Sequence, residues 1–142
     1  LHVGRVFEEV PNEYHLNVVN RVLDAGANVV VCHHSHVPQG VIARNDGKLG
    51  FLGLGDFIFN WPNPFFKLGI DRPAGFSIFA LMSIAEDELS LKVVPVKLCR
   101  GVPTKPSPDE AVEVLQRICE LSKPANRLEI SDDVACLSQR IR

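Results

Sequence analysis

Apolar residues between Tyr14 and Ala25 recur at Leu16, Val19, Val22 and Leu23, the spacing of one helical face. Pro11 and Asn12 stand where a helix starts, since proline suits a first turn and asparagine caps it, and Gly26 suits its C-terminal stop. The continuous run Val29-Val30-Val31 that follows predicts a buried strand. Ahead of the helix, Leu1-His2-Val3-Gly4 reads as a strand end opening into a loop. Strand, helix and strand in that order predict a parallel βαβ unit.

After Pro38 the period shortens from helical to alternating. Gly40 to Arg44 and Lys48 to Leu54 flank the turn sequence Asn45-Asp46-Gly47 and predict a hairpin. The glycines of Gly53-Leu54-Gly55-Asp56 let the backbone bend or approach a neighbour closely. Trp61 to Pro73 holds three prolines and no period, so it predicts a loop. Phe76 to Ala85 and Leu89 to Leu98 predict two strands joined by Glu86-Asp87-Glu88, with Pro95 marking an edge or a bulge. A Pro-rich connection from Gly101 leads to Ser107, which caps a helix over Pro108 to Leu121 with Asp109 and Glu110 in its first turn. The stripe Ala111, Val112, Leu115, Ile118 and Cys119 predicts a docking face for that helix. Lys123-Pro124 ends it, and Ser131 opens an expected last short helix to about Ile141. The chain thus divides into residues 1–122 and a helical tail, 123–142.

Composition narrows what such a chain does. Its 142 residues are the size of one domain, and an apolar content of 46% is enough for a core. The net charge of −2 comes without a basic block, which excludes nucleic acid as a partner on electrostatic grounds. The longest apolar run, Phe76 to Ala85, is too short to span a bilayer and is broken by two serines, so no membrane segment is expected. The compartment stays open. The chain begins at Leu1 in what reads as the middle of an element, and we expect a C-terminal piece of something longer.

The candidate chemistry lies where the valine strand runs out, at Cys32-His33-His34-Ser35-His36, which holds three of the chain's five histidines. The carboxyl end of a strand is where an α/β protein places its site. If the backbone stays extended, His34 and His36 point to the same side and can share a metal. The cysteines at 32, 99, 119 and 136 lack the close pairing of a zinc ribbon or redox motif and read as small buried thiols, although spacing alone leaves a disulfide open.

Several motifs occur in one order: His2-x-Gly4, Pro11, Asp24-Ala25-Gly26-Ala27-Asn28-Val29-Val30, His33-His34-Ser35-His36-Val37-x-Gln39-Gly40 and Leu54-Gly55-Asp56-Phe57-Ile58-Phe59. From His2 to about Leu121 the chain resembles the CapA-type capsule (poly-γ-glutamate) biosynthesis family, within the calcineurin-like metallophosphoesterases. The resemblance implies an α/β fold that is the C-terminal part of a four-layer α/β/β/α metallophosphatase-like sandwich: a βαβ unit, then antiparallel strands and C-terminal helices. It implies His2, His34 and His36 as metal ligands and His33 as a residue that contacts substrate or donates a proton. Neutral imidazoles suit manganese, zinc or iron, and two such ions about 3.5 to 4 Å apart clamp a phosphate and supply hydroxide.

The chain departs from the family's usual pattern at Cys32, where glycine is usual, at Val3 for tryptophan, at Val6 for glutamate and at Asp56 for asparagine. The superfamily's first metal-ligand motifs belong upstream of Leu1. The expectation is therefore a metal-dependent hydrolase of phosphoester or polymer substrate that needs its missing N-terminal half, from the same or another chain, for two metals. The resemblance also suggests the cell envelope. The alternative is a non-catalytic component of polymer synthesis or export machinery that keeps the fold. A zinc-binding fold unrelated to this family is a third, weaker reading.

Overall fold

The computed structural model of the chain describes residues 1–58, 75–86, 88–99, 102–124 and 128–140, the last two without their side chains. Helix α1 spans Glu13–Asp24, with the Asn12 side chain accepting from the His15 amide at 2.9 Å. Gly26 follows its C-cap, Ala25, with φ +113°, a conformation that side chains rarely adopt. Three short strands follow, β1 (Val29–Val31), β2 (Val41–Ala43) and β3 (Leu49–Phe51), in the order β1-β3-β2. β1 runs parallel to β3, and β2 pairs antiparallel with β3 through the expected Asn45-Asp46-Gly47 turn. In that turn the Gly47 amide donates to the Arg44 carbonyl at 3.2 Å.

This small sheet is covered on both faces, which is why its sequence reads as continuous apolar runs. Val30, Cys32, Ile42 and Leu52 pack with Val19 and Leu23 of α1. Gly50 lets the helix come close: a Cβ there would lie 2.7 Å from Val19. Val41, Ala43, Leu49 and Phe51 point the other way, into a larger core.

That core is shared with a second sheet of five strands. β4 (Phe76–Ala85) pairs antiparallel with β5 (Glu88–Cys99), and β6 (Val102–Thr104) pairs with the end of β5. After helix α2 (Pro108–Leu121) come β7 (Glu129–Ser131) and β8 (Val134–Arg140), which complete the order β4-β5-β8-β7. Ile78, Leu89, Leu91 and Val93 meet Leu115 and Ile118 of α2 and the buried face of the first sheet. Among the described residues the architecture is mixed α/β with two sheets and two helices.

Three expectations change and one, Pro95, is narrowed. The tail is not helical: residues 129–140 form a β-hairpin, with Ala135 and Leu137 buried against β5. Residues 102–104 of the Pro-rich connection form a strand, β6. Pro95 causes no bulge, because the register with β4 runs unbroken from Phe76↔Lys97 to Ala85↔Glu88. It marks the other expected feature, a local edge, past the last pair with β8 at Val93 and before the first with β6 at Lys97, where a missing N–H deprives no neighbour. The first strand of the βαβ unit is reduced to one parallel bridge, His2↔His33. The loop expected over 61–73 lies outside the described residues, and all four cysteines are free thiols.

Candidate functional site

The parallel pairing of β1 with β3 sends both following loops out at one end of the small sheet. Residues 1–3 join them there, since the His33 amide donates to the Leu1 carbonyl at 2.8 Å and the Val3 amide donates to the His33 carbonyl at 3.1 Å. The two segments thereby bring His2 against His34, with ring centroids 4.4 Å apart. His33 itself is exposed.

The backbone does not stay extended past Cys32, so the alternation argument for His34 and His36 fails. His34 has φ +106° and His36 φ +59°, both in the region that favours glycine. Strain of this kind costs about 1 to 3 kcal/mol per residue and persists only where the surroundings over-determine it. The surroundings do so here. The buried Ser35 hydroxyl donates to the Val37 carbonyl at 2.9 Å, closing the turn around His36. From outside, the Phe7 amide donates to the Ser35 carbonyl at 2.7 Å, and the Gln39 side-chain amide donates to the Glu8 carbonyl at 2.6 Å. Gly53 packs under Ser35, where a Cβ would lie 2.5 Å from the hydroxyl.

His36 meets Asp56. Its Nδ1 lies 2.7 Å from Asp56 Oδ1, and Asp56 is 8% exposed. The Phe7 ring flanks His36, with centroids 5.9 Å apart. Sequence reasoning singled out Asp56 only as a departure from the family's usual asparagine. The signal for it was its place in a glycine-rich loop at the end of β3, but only the pairing of β3 with β1 brings that loop to His36. Cys32, at the base of the loop, is fully buried toward α1, and desolvation pushes its thiol up from the ordinary range.

The donor set fits a divalent metal in part. Two imidazoles lie together, and a third is held by a carboxylate, as the oriented histidines of metal sites are. Among the described residues, however, no three His, Cys, Asp or Glu side chains converge on one point. A cavity of about 260 Å³, lined by Glu9, Val37, Pro38, Phe76 and Arg117 among others, contains none of the histidines. No described helix is long and apolar enough to cross a membrane.

Residues 1–61 match the family model described as bacterial capsule synthesis protein PGA_cap. Over 59 residues the chain is 34% identical to the PGA biosynthesis protein CapA of Bacillus subtilis (strain 168), a match that covers 42% of this chain and 15% of that relative. The family-model match spans the region that carries His2, His34, His36 and Asp56.

Proposed function

We propose, from the match of residues 1–61 to the capsule-synthesis family model and the similarity to CapA, that the chain serves capsule biosynthesis by supplying half of a metal-dependent hydrolytic site. The observation that carries this reading is the contact of His2 with His34, at the sheet end whose strained turn also carries His36. His2 and His34 would hold one divalent ion, and His36 would join them as a third ligand. Bound there, the ion would polarise a phosphoryl or carbonyl oxygen and lower the proton affinity of a coordinated water. The exposed His33 is the residue placed to meet substrate. The remaining ligands of a two-metal site, and the rest of a four-layer sandwich, would come from outside these 142 residues.

A second reading rests on the absence, among the described residues, of a converged three-ligand group: the fold is kept as a non-catalytic component of synthesis or export machinery. Calorimetric titration of the purified chain with zinc or manganese separates the two. We expect at most one equivalent, bound at least about tenfold more weakly after His34→Ala, and no turnover of a generic phosphodiester. Complete absence of metal binding would favour the non-catalytic component. Hydrolysis by the isolated chain, abolished by His34→Ala, would overturn the half-site reading.

A further inference from the structure

We infer that Asp56 is a positioning residue that locks His36 into the tautomer protonated at Nδ1, so that any bond His36 makes to a metal or a substrate proton goes through Nε2. An ionised carboxylate offers only lone pairs, so across the 2.7 Å contact Asp56 accepts and Nδ1 must donate. An asparagine in the same place would not enforce this. Its amide presents an acceptor on one side and donors on the other, and after a flip it would satisfy an unprotonated Nδ1 equally well. Only one tautomer of His36 is compatible with an ionised Asp56.

Both partners are delivered to this contact by backbone that has little room to move. The His36 turn is closed by the Ser35 hydroxyl and overlaid by Phe7. On the other side, the Ile78 amide of β4 donates to the Leu54 carbonyl at 2.8 Å. Gly55 then takes φ +78° and passes so close to β4 that a Cβ would lie 2.8 Å from the Ser77 Cβ. A side chain at 55 would push Asp56 away from His36. The second sheet therefore sets the position of a carboxylate that acts on the first sheet's histidine. The inference rests on the proposed function only for what Nε2 would meet, since the tautomer is a property of the metal-free chain.

The test is a long-range proton–nitrogen NMR spectrum of the imidazole rings in the ¹⁵N-labelled chain, about two pH units above the ordinary imidazole value so that free rings are neutral. We expect His36 to show the pattern of a protonated Nδ1 and a bare Nε2. Asp56→Asn, nearly isosteric, should shift His36 toward the opposite tautomer while leaving the signals of His2, His15 and His33 in place. A His36 protonated at Nε2 in the native chain would overturn the inference without any variant. So would a tautomer pattern unchanged in Asp56→Asn. Zinc titration then gives a separate reading, with affinity in Asp56→Asn expected to fall about 10- to 100-fold. A native chain with the expected tautomer that binds no zinc would overturn the metal reading and leave the positioning role standing.

Discussion

His15 is fully buried in α1, and among the described residues neither of its ring nitrogens has a hydrogen-bond partner. It underlies the loop after His2, since a Cβ at Gly4 would lie 3.2 Å from its Nδ1. Desolvation lowers its proton affinity below the ordinary imidazole value. The unfolded chain then binds the proton more tightly than the folded one, so stability is complete above pH of about 6.5 and is lost as pH falls below it. Urea unfolding should show a slope of up to about 1.4 kcal/mol per pH unit just below that value. In His15→Leu this slope should be reduced. Nothing in the local sequence marks His15 for burial beyond its place one turn before Val19. Asp56 was equally illegible, because its partner lies twenty positions away and is reached through a strand pairing. The histidine cluster itself was plain, but its geometry was not, because left-handed backbone at His34 and His36 breaks the strand period on which the extended reading rested.

Both helices were legible as elements because their ends carry their own chemistry. At α2 the Ser107 hydroxyl accepts from the Glu110 amide at 3.3 Å, while the Glu110 carboxylate accepts from the Ser107 amide at 2.9 Å. Lys97 of β5 also binds Glu110 and holds its carboxyl below the ordinary range, so the cap doubles as a tie to the second sheet. Ser107→Ala should cost about 1 kcal/mol in thermal or urea unfolding. The C-terminal hairpin was misread for the opposite reason. Ser131 resembles a helix cap, and the short stretch Val134-Ala135-Cys136-Leu137 fits either period. The vacant side of β5 decides between them: Leu91↔Leu137 and Val93↔Ala135 pair across it, which a helix would leave unsatisfied.

The first sheet and α2 are joined where α2 ends. The buried Ser122 hydroxyl accepts from the Val41 amide at 2.9 Å, and Lys123 bonds with Val41 and Ala43 of β2. Gly40 makes this approach possible, because a Cβ there would lie 2.2 Å from the Leu121 carbonyl oxygen. Gly40→Ala should therefore destabilise the whole chain by about 2 to 3 kcal/mol, measured by urea unfolding, since rigid backbone has to move. By itself the sequence determined the helices and their caps, the first hairpin, the long strands β4 and β5, and the identity of the candidate metal-binding histidines. These depend on neighbours in sequence: period, turn residues and caps. Only the tertiary structure decided which histidines meet, that His36 is bound to Asp56, that the tail is a strand, and that a glycine at 55 governs a carboxylate at 56. Those outcomes depend on which strands pair, and pairing is settled by burying apolar faces from distant parts of the chain together.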